Sequence, residues 1–299
     1  MGSPLRLVAP LPQLERAWPR VLEVFADAER TLTRFDPASP LSRLNQAAGG
    51  APQPVPRLLA TALAAAHRAY RLTGGLFDPR IIGALERAGE HAGVALPASP
   101  AGLRPDEPWL TVNRGPLRAA VDAPVDLGGI GKGLALRWAA RELHRSGVRS
   151  FLLDAGGDLV ARGAPLGGTP WRVAVAHPAG RDPAAVVELG DGALATSSVE
   201  FRRWTAPDGT PAHHIIDPRT GRPATSQLVS VTVAAPDPAW AEILAKAILI
   251  GDREPEAWAA WCTSRDGDVA ITTVAEASTV WRRGRRVAQP STILNPSLL

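Results

Sequence analysis

DLGGIGKGLALRWAARELHRSGVRSFLLDAGGDLV, at residues 126–160, is the stretch of sequence that most clearly indicates the fold class. Its glycine-rich beginning predicts a turn, and residues 134–146 carry the apolar spacing of an amphipathic helix. An apolar run at 150–154 then predicts a strand, which ends at a second turn formed by Gly156 and Gly157. The stretch is therefore a helix and a strand with a glycine turn at each end.

The flanking segments alternate between helical and strand patterns. Further helices are predicted at 12–34, 55–72 and 239–250, with a turn-rich loop over 35–50. Strands are predicted at 110–112, 117–121, in short runs between 171 and 216, and at 228–233. Antiparallel strands interleaved with helices predict an α+β fold. A chain of 299 residues, 45% of them hydrophobic, suits either one large domain or two closely packed lobes. We predict a single domain over residues 1–299.

Composition excludes several classes of protein. The net charge is only +4 and the arginines are dispersed, whereas a nucleic-acid-binding face needs a basic stripe with exposed aromatic residues. The single cysteine, Cys262, excludes an intramolecular disulfide and a cysteine-based zinc site. No window reaches the roughly 18 apolar residues of a membrane span. The first residues lack the pattern of a signal peptide, so a cytoplasmic location is predicted.

Lysine is rare in this chain. Of the 33 lysine and arginine residues, only Lys132 and Lys246 are lysines. Where composition has drifted to arginine, a lysine is retained most readily where a compact ammonium is needed and a planar guanidinium does not fit. Lys132 lies in the glycine-rich turn and Lys246 in the late apolar helix. We interpret both as site residues rather than as chance survivors of the drift.

Glycines at 128, 129, 131 and 133 surround Lys132 at the start of the predicted helix. Glycines at such a position let backbone N–H groups approach a phosphate, and the helix dipole favours the anion. The loop lacks the Ser or Thr that a Walker A motif needs after its lysine, and it lacks the GxGxxG spacing. The residues alone therefore leave open a phosphate site and a tight structural turn. Asp126 either reaches the ligand or caps the following helix.

A histidine pair begins the segment HHIIDPRTG at 213–221. Histidine can act as a general base because its ordinary pKa lies near neutrality. The same segment is compatible with two strand-end imidazoles that bond to the backbone, followed by a plain turn at Asp217 and Pro218.

Glu242 and Lys246 are four residues apart on the predicted helix 239–250 and therefore share one face. An exposed Glu–Lys pair at this spacing is common and contributes a few tenths of a kcal/mol, roughly 0.2–0.5. The neighbouring residues are apolar, however, and leave little solvated face for such a pair.

Together these segments resemble the ApbE family, the FAD:protein FMN transferases. The similarity is collinear over nearly the whole chain. The motifs that carry it are MGS at 1–3, SPLSRLN at 39–45, GGLFDP at 74–79, DLGGIGKG at 126–133, DAGGDLVARG at 154–163, LATSS at 194–198, HHIIDPRTG at 213–221 and AEILAKAILIG at 241–251.

The resemblance implies a fold and an activity. The fold is the ApbE-like α+β arrangement, related to the T-fold, with mixed and antiparallel sheets, packed helices and FAD in a cleft between lobes. The activity is transfer of the FMN half of FAD to a Thr or Ser hydroxyl of a partner protein, with release of AMP. In such a phosphoryl transfer, positioning and charge neutralisation carry most of the catalysis. The expected acceptor is an FMN-binding-domain electron-transfer protein.

The resemblance also implies roles for individual residues. His214 is the expected base for the acceptor hydroxyl, and Asp217 shapes its turn. Lys246, which departs from the family pattern, is our own candidate for a catalytic residue. The residues expected to contact the cofactor are Met1, Phe35, Leu76, Phe77, Asp78, Asp126, Gly129, Lys132, His214 and Ile215. Phe35 stands where the family often has tyrosine, so its ring could still stack on the ligand but offers no hydroxyl group.

The metal site departs from the family pattern. Family members hold Mg²⁺ with an Asp and a Thr four residues apart on the late helix, helped by a backbone carbonyl of the glycine-rich loop. Here these positions are Glu242, Lys246 and Gly129. A protonated lysine offers no oxygen to a hard cation. The requirement for Mg²⁺ is therefore in question. We hypothesise that the Lys246 ammonium takes the metal's place, with Glu242 as its counter-ion.

Two alternatives to transfer remain from the sequence. One is a protein that binds or carries FAD with reduced catalysis, because loss of a metal can leave binding intact and slow the chemistry. The other is an FAD pyrophosphatase, in which water replaces the acceptor hydroxyl.

Overall fold

The computed structural model describes residues 3–90, 93–94, 96–97, 109–113, 117–165, 168–178, 180, 183–251, 269–274, 277–282, 285–287 and 293–294. The chain forms two compact units. The first comprises Ala26–Gly131 and Phe201–Thr225, and the second comprises Gly2–Phe25, Lys132–Glu200 and Ser226–Leu299. A single domain over residues 1–299, and a ligand cleft between its lobes, stay predictions.

The helices and strands follow one another in mixed order. The helices are α1 Leu11–Leu32, α2 Pro40–Gln46, α3 Arg57–Leu72, α4 Ile82–Arg87, α5 Gly131–Arg145 and α6 Pro238–Ile250. The strands are β1 Leu5–Val8, β2 Gln53–Pro54, β3 Leu110–Asn113, β4 Arg118–Val121, β5 Phe151–Ala155, β6 Asp158–Arg162, β7 Trp171–Val175, β8 Ala185–Leu189, β9 Gly192–Ser198, β10 Arg203–Thr205, β11 Pro211–His213, β12 Ile216–Asp217, β13 Arg222–Pro223, β14 Ser230–Ala235, β15 Val269–Val274, β16 Ala277–Arg282, β17 Arg285–Val287 and β18 Ile293–Leu294.

The second unit is built on one large sheet. Its strands lie in the order β1-β5-β6-β9-β14-β15-β16-β17, and the pairings between neighbours are antiparallel. The tight turn between β5 and β6 uses Gly156 and Gly157, whose φ angles of 68° and 94° suit glycine. A smaller sheet, β18-β8-β7, contains a parallel pair and an antiparallel pair. Mixed and antiparallel sheets with helices confirm the α+β prediction.

Helix α6 is the buried helix of the second unit. It packs against β9 and β14, where Ala195, Ala235 and Ala241 share one apolar cluster. A helix that is apolar around most of its circumference is stable only when protein surrounds it. Every residue of β14 is likewise buried. Glu242 on α6 is therefore held inside the protein, whereas Lys246 on the same helix is partly exposed.

The first turns of α5 and α6 approach each other closely at Gly133. A Cβ atom at this position would lie 2.4 Å from the Cα atom of Ala239 and 2.6 Å from the carbonyl oxygen of Pro238. These neighbours are backbone atoms, which cannot swing aside, so the contact requires glycine. A second link follows one turn later, where the Arg137 Nε donates to Oδ2 of Asp237, the N-cap of α6, at 2.6 Å.

The first unit contains the small sheet β2-β4-β3 and the hairpins β10-β11 and β12-β13. The loop predicted over 35–50 is wrong in part, because residues 40–46 form helix α2. Ser39 caps this helix by accepting from the N–H of Ser42 at 3.0 Å, and Pro40 occupies its first turn. Both features are typical of a helix start, but seven residues are too few for a clear period.

Helix α2 also fixes the backbone that leads to the glycine-rich loop. The fully buried Asn45 side chain makes two hydrogen bonds to the backbone of Val125. Its Nδ2 donates to the Val125 carbonyl and its Oδ1 accepts from the Val125 N–H, each at 2.9 Å. The SPLSRLN motif therefore has a structural role in this chain: it anchors the residue directly before Asp126.

Helix α5 begins earlier than predicted. The sequence pattern places its start at 134, whereas the helix begins at Gly131, so that Lys132 lies in the first helical turn. Helix α1 continues through Pro19, which lies in its interior. Among the described residues, no helix combines the length and the apolar character needed to cross a membrane.

Candidate functional site

Lys132 and Asp158 form an ion pair in the second unit. Lys132 extends from the first turn of α5, and Asp158 is the first residue of β6. The other carboxylate oxygen of Asp158 accepts from the N–H of Thr196 at 3.0 Å, which ties the side chain to β9. Asp158 is 2% exposed, so the position of the Lys132 ammonium is set by a buried and fully oriented carboxylate.

Glu242 lies on α6 beside the same turn of α5. Its Oε2 accepts from the N–H of Gly133 at 2.9 Å, and its Oε1 lies 3.9 Å from Nζ of Lys246. Glu242 is 2% exposed, so the exposed Glu–Lys pair considered from the sequence is wrong. The close approach at Gly133 allows this backbone-to-carboxylate bond, because a larger residue would hold the two helices apart.

The charges of this cluster act on one another. Burial lowers the pKa of Lys132, but the nearby carboxylates of Asp158 and Glu242 outweigh burial and raise that pKa above its ordinary value of 10.5. Burial raises the pKa of Glu242 above 4.5, and the ammonium groups of Lys246 and Lys132 oppose this rise. Glu242 therefore lies within electrostatic range of both lysines, and Lys132 is an ammonium at neutral pH.

The donor set of this cluster does not fit a divalent cation. Mg²⁺ takes oxygen ligands, and Lys246 presents an ammonium instead. One oxygen of Glu242 is already bonded to the N–H of Gly133. Within the described part of the chain, no three His, Cys, Asp or Glu side chains are grouped so that they could hold a metal ion. We therefore derive no chemical step from a metal at this position.

Asp126 belongs to a second charge network, in the first unit. Its Oδ2 accepts from Nε of the buried Arg34 at 2.5 Å, and its Oδ1 accepts from the N–H of Gly128. Arg34 also contacts Glu90 at 2.5 Å, and Glu90 contacts Arg202 at 3.0 Å. Asp126 thus closes the glycine turn rather than capping α5, which begins at Gly131.

Phe35 is an exposed aromatic residue beside this network. Its side chain is 54% exposed, and the guanidinium carbon of Arg34 lies 4.4 Å from the ring centroid. A cation over one face of an aromatic ring fixes the ring and leaves its other surface free for stacking. This geometry suits the predicted contact with an aromatic ligand, which stays a prediction.

The GGLFDP segment lies next to Asp126, whose N–H donates to the carbonyl of Pro79 at 2.7 Å. Leu76 is half-buried, whereas Phe77 is buried and Asp78 is held by Arg80 through a 2.8 Å ion pair. The Phe77 and Asp78 side chains therefore serve the interior of the unit. Their predicted roles as cofactor contacts stay predictions that would have to use backbone groups.

The histidine segment forms the end of one hairpin and the start of the next. His213 ends β11 and its Nε2 lies 3.1 Å from the carbonyl of Ala224. His214 is half-buried, and its N–H donates to the carbonyl of Arg202 at 3.4 Å. Ile215 is buried. The interpretation as a backbone-bonded imidazole therefore holds for His213.

Asp217 organises the turn after His214. Its Oδ1 accepts from the N–H of Arg219 at 2.8 Å, and its Oδ2 accepts from Nη2 of the same residue, also at 2.8 Å. The carbonyl of Asp217 accepts from the N–H of Gly221 at 2.8 Å, where φ is 64°. The expected turn-shaping role of Asp217 agrees with this geometry.

The structure thus groups the predicted site residues in two sets. Lys132, Glu242 and Lys246 share one charge cluster in the second unit. In the first unit, hydrogen bonds and ion pairs connect Asp126 through Arg34, Glu90 and Arg202 to the backbone of His214. Gly129 lies in the loop before α5, and Met1 and Cys262 lie outside the described residues.

Four residues of these networks were not singled out from the sequence, namely Asp158, Arg34, Glu90 and Arg202. Asp158 lies inside the quoted motif DAGGDLVARG, and its position directly after two glycines was the available signal. Arg34 directly precedes Phe35, but nothing in the sequence distinguishes it as a site residue, because it is one arginine among 31. The burial of Arg34 between two carboxylates is visible only in the fold.

A family model described as the ApbE family matches residues 1–273. The chain belongs to the ApbE family. This confirms the resemblance drawn from the eight motifs.

Several curated members of the family are similar to this chain, and they carry the name FAD:protein FMN transferase. The protein from Klebsiella pneumoniae is 42% identical over 117 residues, which are 38% of this chain and 33% of that protein. The protein from Treponema pallidum is 30% identical over 264 residues, which are 81% of this chain and 73% of that protein. The chain therefore spans about a third of the length of the enterobacterial relatives that it matches.

Solved structures of the family share the fold. The ApbE protein from Thermotoga maritima aligns with a TM-score of 0.81 at 24% identity, over 94% of each chain. The flavin transferase ApbE from Vibrio cholerae aligns with a TM-score of 0.74 at 25% identity, also over 94% of each chain. The predicted ApbE-like α+β fold is confirmed.

Proposed function

We propose that this ApbE-family chain is an FAD:protein FMN transferase. It moves FMN from FAD to a Thr or Ser hydroxyl of a partner protein and releases AMP. The observation that carries the proposal is the position of Lys132. This residue lies in the first turn of α5, directly after the glycine-rich loop, and the buried carboxylate of Asp158 holds its ammonium group. An oriented cation at a helix N-terminus is suited to a diphosphate. Family membership and the names of the relatives support the same activity.

The reaction is a displacement at phosphorus. The acceptor hydroxyl oxygen forms a bond to the phosphorus on the FMN side of the diphosphate, while the bond from that phosphorus to the bridging oxygen breaks. The bridging oxygen leaves with AMP, and the hydroxyl proton passes to a base. Lys132 stabilises the negative charge that develops on the phosphate oxygens, which is the largest contribution that a protein makes to such a transfer.

His214 is the base in this proposal. The backbone of His214 is held on both sides. Its backbone N–H donates to the carbonyl of Arg202, and the turn organised by Asp217 follows it in the chain. A half-buried imidazole on a fixed backbone can accept the hydroxyl proton without a large movement. Asp217 acts as a positioning residue, because it bonds within its own turn.

The flavin and adenine rings need apolar and aromatic contacts. Phe35 provides an exposed ring, and Leu76 is half-buried beside the buried Phe77. Asp126, Asp78, Gly129, Ile215 and Met1 complete the proposed set. The acceptor is proposed to be an FMN-binding-domain electron-transfer protein, with no nucleic acid as partner.

A protein that only binds FAD is the second candidate. The donor set around Glu242 favours it, because among the described residues it lacks the oxygen ligands of a divalent ion that would assist phosphoryl transfer. Such a protein would bind FAD and release no AMP. Release of AMP with free FMN would instead indicate a pyrophosphatase.

The test is to incubate the purified chain with FAD and an FMN-binding-domain protein, and to measure the intact mass of the acceptor and the released AMP. We expect an FMN-sized increment and one AMP for each FMN transferred. His214→Ala should lower the transfer rate at least about 100-fold and leave FAD affinity within about twofold. His213→Ala is the matched control, because that ring bonds to a backbone carbonyl, and it should retain activity. Bound FAD without AMP would contradict the proposal.

A further inference from the structure

The two lysines of this chain both lie within electrostatic range of one carboxylate, that of Glu242. Glu242 lies 3.9 Å from Lys246 and within electrostatic range of Lys132, which is itself paired with Asp158. The chain has no other lysine. Both compact cations of an arginine-rich protein are therefore used in one buried cluster.

The cations and the carboxylates of this cluster differ in exposure. The side chains of Asp158 and Glu242 are each 3% exposed, whereas those of Lys132 and Lys246 are 28% and 18% exposed. The carboxylates form a buried floor and the ammonium groups form its accessible side. A ligand that reaches this side meets the two ammonium groups before the carboxylates, which suits an anionic group that accepts hydrogen bonds.

The Lys246 ammonium is available for such an anion. Its distance of 3.9 Å to Glu242 gives electrostatic stabilisation but exceeds hydrogen-bond range. An ammonium has three N–H donors, and charge-assisted bonds from such donors to phosphate oxygens are short and strong. Glu242 thus holds the charge in place, and its second oxygen is committed to the N–H of Gly133.

We propose that Lys132 and Lys246 together form a metal-free binding site for the diphosphate of FAD, in which the Lys246 ammonium provides the charge that a divalent cation would otherwise provide. This inference rests on the proposed function, because that function supplies FAD as the ligand. Each phosphate carries one negative charge, and each lysine offers its ammonium donors to one phosphate. Lysine suits the place better than arginine, because a compact ammonium can occupy the space of an ion.

The first experiment uses the scarcity of lysine. Protein labelled with [¹³C]lysine has only two Cε signals, which Lys132→Arg and Lys246→Arg assign by removing one each. With EDTA present, FAD should bind and shift both signals, whereas riboflavin, which lacks the diphosphate, should leave them in place. FAD affinity measured by calorimetry should be the same within about twofold in EDTA and in Mg²⁺. FAD binding only with Mg²⁺, or a Lys246 signal that stays unmoved at saturating FAD, would overturn the proposal.

Variants test the same point. The Glu242→Gln/Lys246→Met double variant removes both charges and leaves no unpaired buried carboxylate. It should lose about 10- to 100-fold in FAD affinity, in EDTA and in Mg²⁺ alike, and keep its riboflavin affinity. Arg145→Met, which removes an exposed cation from the other end of α5, is the control and should bind FAD normally. An unchanged FAD affinity in the double variant would contradict the proposal.

The reverse exchange restores oxygen donors. The Glu242→Asp/Lys246→Thr variant should bind FAD weakly in EDTA and regain affinity when Mg²⁺ is added. If this variant has a folded far-UV spectrum but binds no FAD in either medium, the result would count against a metal-like role for Lys246. The outcomes separate this inference from the proposed function. Transfer that needs Mg²⁺ would keep the function and overturn the inference. Metal-free FAD binding without AMP release would keep the inference and overturn the proposed function.

Discussion

The Nζ atom of Lys246 lies 3.9 Å from Oε1 of Glu242, one turn earlier on a helix that is buried on nearly all sides. A buried ion pair costs free energy of desolvation, and replacing it with well-packed apolar residues is often neutral or stabilising. The residues around Glu242 and Lys246 on α6 are apolar, so alanine or leucine at both positions would pack without a free energy of desolvation for charged groups. The pair is therefore better explained by ligand binding than by stability.

We expect Asp158→Asn to destabilise the second unit. Removing one partner of a buried ion pair costs about 3–5 kcal/mol, and since Lys132 retains partial exposure we expect about 2 kcal/mol. Urea unfolding measures this difference. Glu188→Gln, at the surface pair with Arg172, is the control and should change the free energy of unfolding by less than about 0.5 kcal/mol. Equal effects of the two substitutions would show that the Lys132–Asp158 pair has no special weight.

Lys132 should make stability depend on pH in the alkaline range. Its pKa is raised in the folded protein, so its contribution is fully present below the unfolded value of 10.5 and is lost as the pH rises through the folded value. The free energy of unfolding should therefore fall above pH 10.5, and Lys132→Met should flatten this part of the curve. The range is unusually free of other titrating groups, because the chain has one tyrosine and two lysines. A variant with the same alkaline slope as the parent would contradict the assignment.

Gly133→Ala should be strongly destabilising, because its Cβ would meet the backbone of Ala239 at 2.4 Å. Overpacking of this kind costs about 1–3 kcal/mol, and the loss of the Gly133–Glu242 bond would add to it. Gly192→Ala is a matched control, since its Cβ would have ordinary contacts at 3.6 Å or more. Thermal unfolding of both variants compares them. A Gly133→Ala protein as stable as the control would show that α5 and α6 can separate without cost.

Asn45→Ala should destabilise the first unit. The substitution leaves the N–H and the carbonyl of Val125 buried without partners, and each such group costs about 1–3 kcal/mol. We expect a loss of about 2–4 kcal/mol in urea unfolding, with faster hydrogen exchange at Val125. Gln46→Ala, at the exposed next position of α2, should have little effect. Unchanged exchange at Val125 would mean that Asn45 does not anchor the loop.

The sequence predicts the features of this fold that depend on neighbouring residues better than those that depend on residues far apart in the chain. Periodicity within 126–160 predicts the presence and order of α5, β5 and the glycine turn, because these elements form from neighbouring residues, although α5 begins three residues earlier than predicted. Helix α2 was missed, because seven residues give too little period and the cap at Ser39 is a weaker signal. The family followed from motifs in collinear order, which needs no knowledge of contacts.

The candidate site divides in the same way. That Lys132 and Lys246 are exceptional is visible in the composition, and that a lysine cannot ligate Mg²⁺ follows from its chemistry. That Glu242 is buried, that it bonds to Gly133 over 109 residues of sequence, and that Asp158 holds Lys132 became visible only in three dimensions. Side-chain pairing across helices and strands depends on which elements pack together, and hydrophobic burial selects that packing over the whole chain rather than within any one motif.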